Sequence, residues 1–382
     1  MKKTSTAIVF LISLALSCAF SSCRKADTGI EHGIIWKEDG MFAAWPANNG
    51  MWIWGDEVLV GFVVADHKAD AEGLHTYDPL TARSMDGGKS WKVEEALTLG
   101  QTATAYDNVV PAAQREEPRS LEHAIRDFTH PDFIFTFMRH NNHNGPSHFY
   151  YSTNRGQQWE GPYSFPDLNT PGIASRTDYL VDGRQSMNAF LTIAKANGKE
   201  GRVAMARTED GAKSWEIVSW LGEEHEGFDI MPTSLQLTNN RILTIIRTRT
   251  EIGRNLLTAH LSNDNGKSWQ HLTDPVPDTG RGGTPPALVK MIDGRLALAY
   301  IYRSTYGSRV NLRFSTDEGQ SWGEEIVLRC NDGANRDCGY PRMVQRPDGK
   351  LLLVYYWNHA NQEGETPYRY IASTLVDPSK WK

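Results

Sequence analysis

The sequence predicts an all-β fold, a six-bladed β-propeller whose blades are four-stranded antiparallel sheets. Three observations lead to this prediction. An eight-residue turn motif recurs five times, strand-like runs come in pairs before its copies, and the chain contains 12 Trp, 14 Tyr, 13 Phe and 33 Gly. Aromatic residues favour strands, and glycine favours the tight turns that join them. With 382 residues, 40% of them hydrophobic, the chain is long enough to bury a large core.

The repeated motif reads Ser/Thr-x-Asp-x-Gly-x-x-Trp and is typical of a hairpin turn. Its Asp accepts backbone N–H groups within the turn, and its Gly takes a positive φ that a Cβ would penalise. Two copies depart from the pattern, with Asn154 in place of Asp and Ala212 in place of Gly. Because these residues build turns, we assign none of them to catalysis. The copies lie 68, 56, 54 and 53 residues apart and begin at Ser84, Ser152, Thr208, Ser262 and Ser315.

Strand-like runs complete each repeat; residues 233–238 and 241–246 are one such pair. Four antiparallel strands in a repeat of this length indicate a propeller blade. The sixth blade lacks a complete outer strand, so we predict that residues 33–37 supply it and close the ring. Residues 33–382 then form a single domain. The predicted blades span residues 46–95, 128–163, 174–220, 230–273, 285–328 and 341–376.

The N-terminal segment predicts export. Lys2 and Lys3 precede an apolar run, residues 7–16, that is too short to span a bilayer. Cys23, in a small-residue context, resembles a bacterial lipoprotein processing site, with Cys18 as the alternative position and an ordinary cleaved signal as the alternative reading. We therefore expect a signal peptide over residues 1–22 and a tether over 23–32. The protein would be lipid-anchored at the bacterial cell envelope, in the periplasm or on the cell surface.

Charge and motifs exclude several functions. The chain has 40 Lys+Arg against 46 Asp+Glu, a net charge of −6, and no basic block, so nucleic-acid binding is not expected. Phosphate-loop, dinucleotide, zinc-protease and EF-hand motifs are absent, so we expect no cofactor and no metal. We expect a monomer whose membrane contact is limited to the lipid anchor. In an exported chain, Cys330 and Cys338 predict a local disulfide.

The start of a blade's first strand and the end of its second strand lie on the same face around the axis, because the two strands are antiparallel. Arginines are frequent at these positions, and their guanidinium groups pair bidentately with carboxylates. The pattern therefore predicts a pocket for an acidic ligand. The residues assigned to this face or beside it are Trp45, Asp66, His67, Arg139, Arg176, Asp178, Glu226, Asp229, Arg247, Arg303, Tyr340 and Arg342.

Five such turns in a six-bladed array resemble the sialidase (neuraminidase) superfamily over nearly all of the predicted mature chain. The resemblance implies three arginines that bind a substrate carboxylate, a Tyr nucleophile activated by a Glu, and an Asp acid/base. By position, Arg247 and Arg303 resemble the second and third arginines, and Tyr340 resembles the nucleophile. Asp66, or Asp70 beyond it, resembles the acid/base.

Two positions depart from the family pattern. The first arginine belongs to a Phe-Arg-Ile-Pro segment, but residues 42–46 read Phe-Ala-Ala-Trp-Pro. The activating Glu should open blade 4, where residues 232–234 read Pro-Thr-Ser. Glu226 or Asp229 are the candidates to replace the Glu. Arg342 or Arg176 are the candidates to replace the arginine.

The resemblance implies an exo-acting, retaining glycoside hydrolase with a Tyr nucleophile, acting on glycans that carry an acidic sugar, either sialic acid or a related ulosonic or uronic acid. Its partner would be this carbohydrate substrate. Two alternatives stay open. One is a glycosidase or lyase that uses carboxylates or a histidine on the same scaffold. Its candidates are His67, His130, His140 and His359, which are all predicted to lie on the axial face. The other is a surface propeller that binds glycans without turnover, with Trp45 among the aromatic residues that would stack on sugars.

Overall fold

A computed structural model describes residues 29–68, 78–95, 117–139, 142–330, 332–359 and 368–381. These residues form six antiparallel sheets of a β-propeller, which confirms the predicted fold class. The predicted signal peptide, Cys23, Asp70 and His140 lie outside the described residues. Within the described ranges, no helix is both long and apolar enough to cross a membrane.

The ring is closed by the first described strand, β1 (Ile30–Trp36). It pairs antiparallel with the last strand of the chain, Tyr368–Val376, and its register starts with Ile30 opposite Val376. The prediction that an N-terminal segment supplies the outer strand of blade 6 is thus confirmed. The strand begins inside the segment that we predicted as a tether, because the pairing extends to the end of its partner.

In blade 1 a single helical turn interrupts the innermost strand. Both halves of that strand pair with the second strand, and the helix bulges out between the partners Val60 and Val63. Gly61 makes room for the bulge, since a Cβ there would lie 2.7 Å from the Cβ of Asn49. The blade consists of β2 (Met41–Ala44), α1 (Pro46–Asn49), β3 (Met51–Trp54), β4 (Glu57–Asp66), β5 (Asp78–Ser84) and β6 (Lys92–Glu95).

Blade 2 has three strands among the described residues, β7 (Ile134–Arg139), β8 (Ser147–Ser152) and β9 (Glu160–Ser164). The strand β7 occupies the position of a blade's second strand, so Arg139 stands at its axial end. The residues before β7 lie at the opposite end, where Asp132 accepts a 2.6 Å hydrogen bond from Arg155 of the neighbouring motif turn. The placement of His130 on the axial face was therefore wrong.

The remaining blades have four strands each. Blade 3 contains β10 (Tyr179–Val181), β11 (Met187–Ala194), β12 (Glu200–Thr208) and β13 (Glu216–Leu221). Blade 4 contains β14 (Phe228–Thr238), β15 (Arg241–Arg249), β16 (Asn255–Ser262) and β17 (Gln270–His271). Blade 5 contains β18 (Ala287–Lys290), β19 (Leu296–Tyr302), β20 (Arg309–Ser315) and β21 (Ile326–Cys330). Blade 6 contains β22 (Gly339–Gln345), β23 (Leu351–His359), β24 (Tyr368–Val376) and β1.

The repeated turns have the predicted internal bonds. Asp86 Oδ1 accepts the backbone N–H of Ser90 at 2.9 Å, and Asn154 Oδ1 accepts that of Gln158 at the same distance. The motif glycines also lie against the preceding blade. A Cβ on Gly266 would lie 2.1 Å from Met205 in blade 3, and one on Gly319 would lie 2.7 Å from Leu243 in blade 4. The turns therefore join blades as well as strands.

The hydrophobic core is divided into layers between adjacent blades. One cluster joins Phe135 and Phe137 of blade 2 to Leu191 of blade 3. Another joins Ile301 of blade 5 to Trp357 of blade 6. Each blade is thus buried on both faces by its neighbours, which explains the long uninterrupted apolar runs in the second strands.

The predicted disulfide between Cys330 and Cys338 is wrong, because Cys338 is a free thiol. Cys338 is fully buried in the core layer between blades 5 and 6, beside Tyr355 and Trp357. Burial raises the pKa of this thiol to about 11. Its side chain points into the core, whereas Cys330 ends the outer strand of blade 5.

The contact between turn and preceding blade predicts a stability difference. Gly266→Ala should destabilise the protein by about 2 kcal/mol or more, because it adds left-handed strain and a clash with Met205. Gly294→Ala is the matched control: its φ of 90° is equally left-handed, but no atom lies within 4 Å of the new Cβ. Thermal denaturation should give a clearly lower midpoint for the first variant. Equal losses in both would refute the inter-blade role.

Candidate functional site

A cavity of about 220 Å³ opens where strands of several blades end around the axis. Blades 1, 2, 3, 4 and 6 all contribute side chains to it. Three guanidinium groups face one phenol, and the described residues that line the cavity include no carboxylate. The lining residues are Trp45, Asn48, Arg139, Asn142, His143, Arg176, Phe228, Ile230, Arg247 and Tyr340.

The helical turn α1 brings blade 1 into the cavity. Trp45 caps this turn in the left-handed conformation, with φ 60° and ψ 48°, which is uncommon for a bulky residue. Asn48, in the middle of the turn, is only 6% exposed. Its Oδ1 atom has no hydrogen-bond partner among the described residues. A buried, unsatisfied amide oxygen is costly, so it marks a position where a ligand donor would be favourable.

The three lining arginines are held in place by hydrogen bonds. Arg139 donates from Nη2 to Asn142 Oδ1 at 3.1 Å, and Arg176 donates from Nη1 to the carbonyl of Ala174 at 2.5 Å. Arg247 donates to the carbonyl of Gly282 and, at 3.3 Å, to the sulfur of Met231. The guanidinium groups are therefore oriented before any ligand arrives, which lowers the entropic cost of binding.

Tyr340 stands against these arginines at the start of blade 6. Its backbone is left-handed, with φ 55°, and Arg247 Nη1 donates to its phenol oxygen at 3.4 Å. The guanidinium carbon of Arg303 lies 5.7 Å from the ring centroid. Burial acts to raise the pKa of Tyr340, but the charges of Arg247, Arg303, Arg176 and Arg139 outweigh it and hold that pKa below its ordinary value. The arginine charges thus stabilise the phenolate form of Tyr340 relative to that of an ordinary tyrosine.

A chain of hydrogen bonds positions Arg303. Its Nε donates to the carbonyl of Cys338 at 2.7 Å, and its Nη2 donates to the hydroxyl of Tyr356 at 2.8 Å. That hydroxyl donates in turn to Asp337 at 2.7 Å, and Asp337 forms a 2.8 Å ion pair with Arg369. Burial raises the pKa of Tyr356 well above its ordinary value, so this phenol stays neutral and can act as a donor.

The predicted carboxylates do not line the cavity. Asp66 is exposed at the end of β4. Asp229 is buried, accepts a 2.6 Å hydrogen bond from Thr248, and lies 3.3 Å from His225. Glu226 is exposed and lines a neighbouring groove. Their predicted catalytic roles stay predictions.

Three further predicted residues also lie outside the cavity lining. Arg342 donates to the carbonyl of Ala47 at 2.6 Å and to that of Thr177, and so ties α1 to blade 3. Asp178 accepts a 2.8 Å hydrogen bond from the hydroxyl of Ser234 in blade 4. The ring of His67 stacks on a tyrosine of blade 6, with centroids 4.6 Å apart. The structure therefore brings together Trp45, Arg139, Arg176, Arg247 and Tyr340, with Arg303 beside the phenol ring.

Sequence reasoning missed Asn142, His143, Phe228 and Ile230. A signal for the first two was present, because residues 139–143 read Arg-His-Asn-Asn-His, but of its two histidines we named only His140 as a candidate. The two apolar residues look like ordinary strand residues at the start of β14. Within the described ranges, no group of three His, Cys, Asp or Glu side chains is arranged to hold a metal ion.

The arginine cluster predicts a measurable change in the pKa of Tyr340. Arg247→Gln should raise this pKa, because Arg247 contributes most among the arginines whose charges lower it. Carbon-13 labelling of tyrosine Cζ allows the titration to be followed by NMR, and the Tyr340 resonance is the one lost in Tyr340→Phe. The exposed Arg184→Gln serves as the charge-matched control. An unchanged Tyr340 titration in Arg247→Gln would contradict the electrostatic coupling.

Asp178 predicts a pH dependence of stability. Burial raises its pKa to about 7, against the charge of Arg342 and the hydrogen bonds of Ser234. Because protonation then favours the folded state, this carboxyl stabilises the protein at acidic pH, and the contribution is lost as the pH rises through about 7. Asp178→Asn should flatten the dependence of the melting temperature on pH between about 4 and 7. The exposed Asp39→Asn should keep the wild-type dependence on pH. The same wild-type dependence in Asp178→Asn would contradict the role of this carboxyl.

Comparison with known proteins agrees with the architecture. The family described as BNR repeat-like domain matches residues 133–353, more than half of the chain. No curated protein matches the sequence. A solved structure of unknown function from Dyadobacter fermentans has a TM-score of 0.67 at 18% identity, covering 91% of this chain and 99% of that one.

Two enzymes with solved structures share the fold at lower identity. The Hadza microbial sialidase Hz136 has a TM-score of 0.58 at 12% identity, covering 88% of this chain and 66% of that one. The α-L-arabinofuranosidase Arb93A from Fusarium graminearum has a TM-score of 0.52 at 14% identity, covering 89% and 98%. At these identities the likeness concerns the fold. The chain therefore belongs to the BNR repeat-like domain family and has the fold of a six-bladed propeller.

Proposed function

We propose that this protein is an exo-acting glycoside hydrolase that binds an acidic sugar in the axial cavity and uses Tyr340 as its nucleophile. One observation carries the proposal: the phenol of Tyr340 lies among arginines that lower its pKa. A tyrosine that serves only packing gains nothing from such a setting. A nucleophile does, because the phenolate is the reactive form.

The arginines account for substrate binding. Arg139, Arg176 and Arg247 present their guanidinium groups to one small cavity, and such groups pair with carboxylates through charge-assisted hydrogen bonds. Arg139 and Arg176 here compensate for the arginine that is missing between Phe42 and Pro46. A cavity of about 220 Å³ accommodates a single sugar ring, which is consistent with attack at the end of a glycan.

The reaction follows from these positions. Tyr340 loses its proton to solvent, and the phenolate oxygen attacks the anomeric carbon, so that a C–O bond to the enzyme forms as the glycosidic C–O bond breaks. The leaving oxygen takes a proton from an acid. Water then attacks the same carbon and returns a proton to that acid as the C–O bond to Tyr340 breaks, which releases the sugar with retention and restores the phenolate. Among the described lining residues, His143 is the side chain suited to supply that proton. The arginines stabilise both the phenolate and the bound carboxylate.

A second candidate is a uronate lyase, which the lack of a carboxylate among the described lining residues favours. In that reaction a base removes the proton next to the carboxylate group, the bond to the leaving oxygen breaks, and a double bond forms in the sugar. Arg247 would neutralise the carboxylate, while Tyr340 and His143 would transfer the protons.

The test is a panel of 4-methylumbelliferyl glycosides of N-acetylneuraminic acid, 2-keto-3-deoxynononic acid and glucuronic acid. We expect release of methylumbelliferone from at least one of them. Tyr340→Phe should lower kcat/KM about 10³-fold or more, because the nucleophile is lost. Tyr306→Phe is the matched control, since Tyr306 is 97% exposed, and it should retain the wild-type rate.

Three outcomes would contradict the proposal. Full activity in Tyr340→Phe would exclude the phenol as nucleophile. An unsaturated uronate product, detected by its ultraviolet absorbance after incubation with uronate oligosaccharides, would establish the lyase instead. If calorimetry detects binding of acidic sugars but no product forms, the protein is a glycan-binding propeller without turnover.

A further inference from the structure

We propose that a groove beside the axial cavity binds the leaving-group side of the substrate and selects a second acidic sugar there. The inference rests on the proposed function and extends it from one sugar to an acidic disaccharide unit. The groove measures about 470 Å³ and is formed by the β7–β8 loop, the β11–β12 turn, the start of β14 and the β15–β16 loop.

The groove and the cavity are adjacent, because His143 and Phe228 line both of them. When a sugar fills the small cavity, the leaving group attached to it therefore lies in or near the larger groove. The bond between two such units would lie at the shared boundary. His143 stands at that boundary, where a leaving oxygen needs its proton.

One wall of the groove is rigid. Lys195 is 7% exposed, and its ammonium donates to the carbonyls of His225 at 2.9 Å and Gly227 at 2.8 Å. A Cβ on Gly227 would lie 1.7 Å from the carbonyl oxygen of Arg249, so only glycine permits this close approach. The wall is thus preformed, as expected for a binding surface that does not reorganise on binding.

The charges of the groove define its ligand. The ammonium group of Lys195 is hydrogen-bonded within the wall, but Lys199 and Arg249 are both exposed at the groove. The Arg249 side chain lies along the glycine turn after β15, with Nη2 3.6 Å from the Cβ position of Gly253. These two cations suit a carboxylate or sulfate, and the carboxylates of Glu226 and Glu251 suit sugar hydroxyls. The groove therefore fits an acidic, hydroxylated sugar better than a neutral or apolar aglycone.

The experiment compares three substrates of whichever acidic sugar is turned over: its methylumbelliferyl glycoside, a disaccharide with a neutral second sugar, and a disaccharide with an acidic second sugar. For sialic acid these are the aryl glycoside, α2,3-sialylgalactose and α2,8-linked disialic acid. The double variant Lys199→Ala/Arg249→Ala should lose about tenfold in kcat/KM on the acidic disaccharide, as expected for a lost charge-assisted contact. The other two substrates should change less than about twofold.

Lys267→Ala is the control, because this exposed lysine lies in a motif turn on the opposite face of the propeller and should leave all three rates unchanged. Equal losses on all three substrates, or no loss on the acidic disaccharide, would overturn the groove assignment. If the wild type releases no methylumbelliferone, the proposed function fails by itself. Calorimetry with the same disaccharides then tests the groove assignment separately. The assignment requires that the wild type binds the acidic disaccharide more tightly than the neutral one and that the double variant loses this preference.

Discussion

The pairing of β1 with β24 is the interaction on which the rest of the molecule depends. Each blade is buried only when it has a neighbour on both faces, and the core layers between blades show that no blade could form its core alone. A row of six blades would leave two faces exposed. Because β1 comes from the start of the chain and β24 from its end, their pairing joins the first blade to the last and removes both exposed faces.

Closure also explains why a few arginines can define the site. Arg139, Arg176 and Arg247 belong to three different blades, and only the ring brings the ends of their strands to one point. Their mutual repulsion is tolerated because each is anchored by a carbonyl, an amide or a sulfur atom. The positive potential that results is local. The chain as a whole is acidic, with a net charge of −6, so this cluster is opposite in sign to the protein's overall charge.

The sequence was sufficient to predict the fold, because the repeated turn has a local physical cause that survives variation elsewhere. Even Ala212, which replaces the motif glycine, keeps the left-handed conformation, with φ 70°. The arginines of the cavity could be predicted from their positions at strand ends. The helical turn α1 could not, since the interruption of an inner strand depends on the space that Gly61 leaves opposite Asn49. The buried thiol of Cys338 was missed for a related reason, since spacing along the chain does not show which way a side chain points.

The hydrogen-bonded chain from Arg303 through Tyr356 and Asp337 ends at Arg369, which lies on the closing strand β24. Arg369 also packs over the ring of Phe42 in blade 1, 4.2 Å from its centroid. The charge beside Tyr340 is therefore anchored to the seam where the last blade meets the first. Ring closure and the axial site are coupled in this way: in a chain whose seam has not formed, Arg303 lacks this anchor, so Tyr340 lies in a different electrostatic environment.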